Sequence, residues 1–188
     1  SSYAQAAAMA MGRAMDDVII TAALGTAFTG ETGATSVALP AGQKIVHGSA
    51  GLTLAKLISA KAVLDKADVD PSIPRHIIVS PEQLQNLLGD TTVTSSDFNT
   101  VKALVQGEIN SFLGFNFKVS NRLPKTGTTR SCIAYAQDGL LLGVGKDVNA
   151  RIDERADKSY ATQVYYCMSI GATRMEEVKV VEVQATEV

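Results

Sequence analysis

The sequence is poor in the aromatic residues and histidines that many enzymes and nucleic-acid-binding proteins use at their functional sites. Its 188 residues include no tryptophan, only 5% aromatic residues and two histidines. So few aromatic rings are poor material for stacking on bases or for lining a large ligand pocket. His47 and His76 match no metal-ligand pattern such as His-Glu-x-x-His, which leaves little room for histidine-based catalysis. We therefore expect no cofactor and no metal. His76 should be a partly buried structural residue, and His47 should lie on the surface.

Strong charge and long apolar runs are also missing. The formal net charge is −2, and no basic stripe is present that would bind a nucleic-acid backbone through counterion release. No apolar run approaches the roughly 18 residues that a membrane-spanning helix needs, so we expect no membrane partner. The alanine-rich start carries Arg13, Asp16 and Asp17, which is unlike a signal peptide. It has no initiator methionine, and we expect a fragment or a processed chain.

The two cysteines do not have the spacing of a metal site. Cys132 and Cys167 each lie in an apolar run, which predicts two buried, reduced thiols in a cytosolic protein. A disulfide or a reactive thiol is the alternative.

Glycine and carboxylate patterns offer two further candidates for chemistry. Gly25 and Gly30 have the spacing of a phosphate-binding loop, but the Lys and Ser/Thr that should follow are missing, and the segment follows a predicted helix where a strand is required. No Gly-x-Ser-x-Gly elbow is present. Asp16 and Asp17 could form a paired-carboxylate site, although no histidine accompanies them. A structural role is favoured over an enzymatic one.

Hydrophobic periodicity predicts a helix-rich start, a mixed centre and long strands at the end. Gly25 should end the first helix, and prolines at 71 and 74 mark the best boundary between two lobes. In the second helix we place Leu54, Leu57, Ile58 and Leu64 on the buried face, with Lys56 off it. The predicted helices cover residues 3–24, 52–66, 81–89 and about 95–113; the predicted strands cover 36–39, 44–47, 76–80, 115–119, 131–136, 149–155, 160–173 and 177–183.

Particular residues support the start of the helix predicted at 81–89, whereas the type of the segment 138–145 stays open. Ser80 is a candidate N-cap with Pro81 in the first turn, and Gln83 could reach back to it as in a capping box. Residues 138–145 fit a short helix or a strand equally well.

Several runs of residues, in order along nearly the whole chain, resemble the major capsid proteins of tailed phages. Their specificity lies in their number and order, because none is a catalytic signature. The runs are Tyr3-Ala4-Gln5-Ala6-Ala7-Ala8, Met11-Gly12-Arg13-Ala14-Met15-Asp16-Asp17, Ser96-Asp97-Phe98-Asn99 into residues 100–109, Phe112-Leu113-Gly114-Phe115, Ser120-Asn121-Arg122-Leu123-Pro124, Asp153-Glu154-Arg155, Lys158-Ser159-Tyr160 and Ile170-Gly171-Ala172-Thr173-Arg174.

The resemblance implies an α+β, HK97-like capsid fold. Such a fold has a peripheral lobe with a long spine helix and long antiparallel strands, and an axial lobe of mixed α/β structure. The spine helix would be 3–24, the peripheral lobe 1–70 with 146–188, and the axial lobe 71–145. The family's N-terminal arm and extended loop precede the spine helix, so we expect a core fragment without them.

The resemblance also implies a function without catalysis. Copies would assemble into pentamers and hexamers of an icosahedral shell around DNA, held without sequence preference, in the cytoplasm of a bacterial host, with a scaffold or maturation protease as possible helpers. An encapsulin-like compartment shell is the alternative, followed by an unrecognised hydrolase or binding domain.

Charged residues in three regions are our candidates for contacts between subunits. Alternating charges set register and orientation between copies, with modest energy per pair. The candidates are Arg13, Asp16 and Asp17 on the first helix, Lys125 and Arg130 in an axial loop, and Arg151, Asp153, Glu154, Arg155, Asp157 and Lys158 in the densest mixed-charge segment.

Overall fold

The computed structural model describes residues 2–89 and 111–187. Within them it is a mixed α and β protein in which the predicted elements occur in the predicted order, together with short strands at 27–29, 111–112 and 125–126 that were not predicted. The helices are α1 (Ser2–Leu24), α2 (Leu54–Lys66) and α3 (Pro81–Leu88). The strands are β1 (Ala27–Thr29), β2 (Thr35–Val37), β3 (Lys44–Ile45), β4 (Arg75–Val79), β5 (Ser111–Phe112), β6 (Phe115–Val119), β7 (Lys125–Thr126), β8 (Thr129–Ala136), β9 (Leu140–Arg155), β10 (Ala161–Arg174) and β11 (Val180–Thr186).

Helix α1 confirms the first predicted helix, including its end. The backbone N–H of Gly25 donates to the carbonyl of Thr21 at 2.8 Å. A Cβ at Gly25 would lie only 2.7 Å from that carbonyl oxygen, so a glycine fits where another residue would collide. Only the C-terminal part of α1 is buried, through Ile20 and Ala23. Helix α1 packs against β10, and near its start the Tyr166 hydroxyl of β10 donates to the Ala4 carbonyl at 3.5 Å.

A seven-stranded sheet forms the centre of the molecule. Its order is β3-β11-β8-β4-β6-β5, with β7 paired to β8. The β3–β11 and β4–β6 pairs are parallel, and the other pairs are antiparallel. Strand β11 contacts α2. The sheet takes strands from all three segments of the predicted lobe division, and that division stays a prediction.

In α2 the predicted buried face is wrong at two positions. Lys56 is only 9% exposed, whereas Ile58 is 52% exposed. The buried residues are Lys56, Leu57, Ala60 and Leu64. A buried ammonium was not expected on a helix face, but Lys56 finds four carbonyl partners there. The N-cap is Thr53, whose hydroxyl accepts from the backbone N–H of Lys56 at 3.4 Å.

Helix α3 starts at Pro81 as predicted, and the hydroxyl of Ser80 accepts from the Gln83 backbone N–H at 3.4 Å. The reciprocal half of the capping box does not form. The Gln83 side chain is fully buried and accepts from the Leu52 N–H at 2.8 Å instead. A tertiary partner therefore replaces the local one.

The predicted helix from Ser95 or Ser96 lies outside the described residues up to position 110, but its predicted end at 113 is wrong. Ser111 and Phe112 form strand β5, and Leu113 has φ 53°. Together with Gly114 at φ 82°, it makes the tight turn into β6.

The undecided segment 138–145 is a strand after a short 3-10 turn at 137–139. It merges with the predicted strand 149–155 into β9, which pairs antiparallel with β10. The two form their own two-stranded sheet beside the seven-stranded one.

The histidines and cysteines follow the predictions in part. Cys132 is buried, Cys167 is half-buried, and both are free thiols. His76 is half-buried as predicted, with its ring centroid 5.5 Å from that of Tyr135. His47 is half-buried rather than on the surface, because its Nδ1 accepts from the Ser49 N–H at 3.0 Å and lies 3.3 Å from the Thr186 hydroxyl.

Candidate functional site

The β9–β10 hairpin contains the longest exposed strand among the described residues, β9. After Leu140, every residue of β9 is exposed. One edge of β9 pairs with β10, and the other has no partner strand within residues 2–89 and 111–187. A long edge strand without a partner is a template for pairing with, or packing against, another chain.

Apolar side chains interrupt the polar surface of this hairpin. Tyr160 is 71% exposed and Ile152 is 64% exposed. Five more apolar residues of the hairpin are exposed by between about a third and a half of their surface, namely Leu141, Leu142, Val144, Val148 and Tyr165. Apolar residues gathered on one exposed element indicate a surface that another molecule covers.

The predicted charged segment lies at the outer end of this hairpin. Arg155 Nε donates to Asp157 Oδ1 at 2.8 Å, and this hydrogen bond lowers the pKa of Asp157. Further along the strands Arg151 lies opposite Tyr165, and Asp153 opposite Gln163. All six charged candidates of this segment are exposed. Their position suits contact with another subunit, which stays a prediction.

The turn of the hairpin is tight. Ser159 and Tyr160 both have left-handed backbone conformations, with φ of 53° and 58°. The Tyr160 N–H donates to the Arg155 carbonyl at 3.0 Å and closes the loop. Glycine, asparagine and aspartate adopt such φ values most readily, so a tyrosine here is unusual.

The two neighbouring aspartates on α1 differ, because Asp17 is hydrogen-bonded to another side chain and Asp16 is exposed. Asp17 accepts two hydrogen bonds from the Arg122 guanidinium, one of them at 2.5 Å from Nε. These bonds lower the pKa of Asp17 and raise that of Arg122. Asp16 and Arg13 are exposed. The structure thus brings Asp17 to Arg122, a partner that the sequence analysis did not identify.

A cleft of about 640 Å³ lies beside Asp17, between the end of α1, β1 and the inner end of β10. Apart from Asp17, Val18 and Phe28, the residues that line the cleft are glycine, alanine and threonine. A general acid or base would need a carboxyl pKa near neutral pH, whereas Arg122 lowers the pKa of Asp17. The predicted carboxylate-pair site therefore gains no support.

Among the described residues, no group of three or more His, Cys, Asp or Glu could hold a metal ion, and no helix is long and apolar enough to cross a membrane.

Lys125 and Arg130 bind an internal carboxylate. Glu187 Oε2 accepts from Arg130 Nε at 2.9 Å and lies 3.2 Å from Lys125 Nζ. Its other oxygen, Oε1, accepts from the hydroxyl of Ser80 at 2.5 Å. Burial would raise the pKa of Glu187, but its hydrogen bonds from Arg130, Ser80, Lys125 and Gln83 outweigh burial and lower the pKa to about 2. This internal role does not test the predicted contact with another subunit.

The buried thiol of Cys132 is unreactive. Burial raises the pKa of Cys132 to about 12, so it stays protonated and unreactive near neutral pH.

Two of the three cations that are buried in the described part of the chain, Lys56 and Arg174, each bind several backbone carbonyls. Lys56 Nζ donates to the carbonyls of His47, Ala50 and Gly51 at 2.7–2.8 Å and to that of Gln184 at 3.2 Å. Burial lowers the pKa of Lys56.

Arg174 is the second cation and joins the hairpin to α1. Its guanidinium donates to the carbonyls of Ala23 at 3.0 Å, Gly25 at 2.6 Å and Val37 at 2.9 Å. A cation at a helix C-terminus also complements the helix dipole. The inner end of β10 is therefore fixed to α1 and to the β1–β2 segment.

Sequence reasoning missed Lys56, Arg174 and Glu187 as organising residues. The one usable signal was the position of Arg174 at the end of an apolar strand. Lys56 and Glu187 gave no signal, because their partners are backbone carbonyls and distant side chains.

Comparison with known proteins bears on the whole chain. A family model described as phage capsid protein matches residues 1–187. No curated protein matches significantly. A solved chain from Mycobacterium phage Che8 is similar with a TM-score of 0.65 and 21% identity, covering 96% of this chain and 61% of its own. The capsid structure of cyanophage P-SCSP1u gives a TM-score of 0.65 and 18% identity, with 98% and 66% covered.

A more distant likeness exists to the SrpI encapsulin complex of Synechococcus elongatus, with a TM-score of 0.53, 9% identity and coverage of 79% of this chain and 55% of that one. At these identities the structures show the shared fold, which is the HK97-like fold that the resemblance implied. The chain spans about three fifths to two thirds of the length of the two phage chains.

Proposed function

The chain belongs to the phage capsid protein family, and from this membership we propose that it is a structural subunit whose copies assemble into an icosahedral virion capsid. In this role it is a structural protein that makes contacts and performs no reaction. The proposal concerns the whole protein, and the described residues contribute the packed sheet and the exposed hairpin.

The exposed β9–β10 hairpin is the observation that supports the proposal most strongly. A two-stranded sheet with a free edge and exposed Ile152 and Tyr160 gains little by folding alone, but gains stability when another surface covers it. Each contact would be of weak to moderate strength. Multivalency over a closed lattice then makes the sum of contacts stable.

We assign the finer organisation by the same reasoning. Copies form pentamers and hexamers through the axial lobe at 71–145, and peripheral lobes, 1–70 with 146–188, meet across neighbouring capsomers. The charged segment at 151–158 sets register between them. The inner surface faces DNA without binding it strongly, consistent with a net charge of −2. Assembly takes place in the host cytoplasm, with a scaffold or a maturation protease as possible helpers.

Electron microscopy of the full-length protein, expressed alone and with its scaffold, tests the proposal. Closed shells or rings of five and six copies are the expected result. A protein that stays monomeric under both conditions, at concentrations where related shells form, would contradict it.

A compartment shell that encloses an enzyme is the second candidate, favoured only by the distant likeness to an encapsulin. The contents of purified shells separate the two candidates. Packaged DNA and neighbouring portal and terminase genes indicate a virion, whereas a single enclosed enzyme indicates a compartment.

A further inference from the structure

The outer half of strand β9 has an edge that can accept another strand. No strand pairs with this edge among the residues that the structure describes. The hairpin pairs regularly from Asn149 opposite Cys167 to Arg155 opposite Ala161, whereas two register shifts interrupt its inner half. A regular edge is a template for a further strand, and β-bulges disturb such pairing. Residues 149–155 are therefore the part of β9 suited to pairing, and we call this segment the outer edge.

One face of the outer edge carries a cation and an anion that have no partner in their own copy. Arg151 and Asp153 are two residues apart, so they lie on the same face of the strand. Both are exposed, and both line one depression together with Gln163 and Tyr165. Neither side chain forms an ion pair or a hydrogen bond with another residue in the described part of the chain. These two charges are therefore free to pair with another molecule.

The geometry of strand pairing limits how two copies of the outer edge could meet. When two copies of one strand pair antiparallel about a two-fold axis, one residue lies opposite its own copy at the axis. Residues at equal distances on the two sides of the axis then lie opposite each other. With Arg151, Asp153 or Glu154 at the axis, two like charges would lie directly opposite each other, which is destabilising. Among residues 150–154 this leaves Ala150 and Ile152.

The register with Ile152 at the axis makes the outer edge complementary to itself. Arg151 of each copy then lies opposite Asp153 of the other, so two ion pairs flank the axis. The two Ile152 side chains, each 64% exposed in the single chain, lie opposite each other and cover one another. With Ala150 at the axis, Arg151 would lie opposite Asn149 and would gain no ion pair. The order of charges thus selects one partner, a second copy of this strand, and one register.

We infer that two copies of the chain pair antiparallel through their outer edges, with Ile152 at the two-fold axis. The two hairpins then form one four-stranded sheet, which is more stable than two separate two-stranded sheets. Charges on an exposed edge commonly prevent pairing with other chains, and here their order permits pairing with an identical edge. The contact joins two copies only, so other surfaces complete the shell. The inference rests on the proposed function and specifies one contact between its subunits.

Two charge reversals in the full-length protein test this pairing. Arg151→Asp places two carboxylates opposite each other on both sides of the axis, and Asp153→Arg places two guanidinium groups there. Each variant should need at least about tenfold more protein to associate than the parent. The matched control is Glu31→Arg, in the exposed loop between β1 and β2, which makes the same change of charge outside the hairpin and should associate like the parent. Thermal unfolding checks that each variant is folded.

Combining the two reversals gives the decisive result. A chain with both Arg151→Asp and Asp153→Arg exchanges the two charges and keeps both ion pairs, so it should associate like the parent. An equimolar mixture of the two single variants restores the ion pairs between unlike copies. Mixed complexes should therefore form at a concentration where neither variant associates alone. Analytical ultracentrifugation with one variant fluorescently labelled measures both results.

The outcomes separate this contact from the shell function. Single variants that associate like the parent, a double variant that fails to associate, or a mixture that stays dissociated would each overturn the inference and leave the shell function standing. A parent that forms dimers with this charge dependence but never forms shells overturns the proposed function and supports the inference. A parent that stays monomeric throughout overturns both.

Discussion

The seven-stranded sheet and the β9–β10 hairpin differ in both burial and composition. Strand β11 has five of its seven residues buried, whereas fifteen of the sixteen residues of β9 are exposed. One of the seven residues of β11 is charged, whereas six of the sixteen residues of β9 are charged. Helix α2 packs against β11 and α1 packs against β10, whereas one edge of β9 has no partner strand among the described residues. Composition and packing therefore act in the same direction in the two regions.

Charged residues differ between the two regions in the same way. Around the sheet and at the inner end of β10, Lys56, Glu187 and Arg174 are at least nine-tenths buried and have several partners each. On the hairpin, Arg155 and Asp157 pair in the open. A buried charge without its partner is strongly destabilising, whereas an exposed pair contributes little. We therefore expect the sheet to supply the stability and the hairpin to supply the contacts, and four changes test this division.

Removal of the main partner of Glu187 should have the largest effect on stability. Arg130→Met leaves a buried carboxylate with the more exposed Lys125 as its one remaining cation, and should lower the free energy of unfolding by about 3 kcal/mol. Urea denaturation measures the change. Lys125→Met is the matched control and should cost about 1 kcal/mol, because its side chain is 37% exposed. Equal effects of the two would contradict the network described here.

Arg174→Met should have the next largest effect, because it leaves the carbonyls of Ala23, Gly25 and Val37 without their donor. We expect the free energy of unfolding to fall by about 2 kcal/mol. Arg13→Met, on the exposed surface of the same helix, should leave the unfolding midpoint unchanged. If both variants unfold like the parent, Arg174 does not join the hairpin to α1.

Acid should weaken the sheet through Glu187. The pKa of this carboxyl is about 2 in the folded protein and near 4.5 when unfolded, so the unfolded chain binds the proton more readily. The stabilisation is complete above about pH 5 and is lost as the pH falls from 4.5 towards 2. Urea denaturation across this range should show a steeper fall for the parent than for Glu187→Gln. Parallel curves would refute the assignment.

Charge reversal on the hairpin should have the smallest effect on stability and a clear effect on assembly. Arg151→Glu with Arg155→Glu changes exposed residues only, so the thermal midpoint should stay close to that of the parent. Capsomer formation, followed by size-exclusion chromatography and electron microscopy, should be impaired. Normal assembly of the double variant would remove the charged segment from the contact surface.

Much of the local structure was predictable because its causes are local. Gly25 ends α1, and Ser80 with Pro81 starts α3, through contacts within a few residues. The segment 138–145 could not be assigned, because Gly143 and Gly145 interrupt its pattern, and its pairing with β10 decides the matter. The end of the helix predicted to reach 113 was wrong, because pairing of Ser111 and Phe112 with β6 overrides helical periodicity.

The candidate surface was predictable only in part. Mixed charge pointed to residues 151–158, and the structure places them at an exposed tip. Lys125 and Arg130 have the same residue types and yet surround Glu187, which is 57 residues from Arg130 in sequence. No local pattern distinguishes a cation that faces solvent from one that faces a buried carboxylate.

The sequence by itself determined the order of helices and strands, the ends of α1 and α3, and the family, because these depend on neighbouring residues and on the order of short motifs. Only the tertiary structure decided which charges are buried and which long strand remains exposed. These features depend on distances between residues far apart in the chain, and strand pairing and helix packing set those distances.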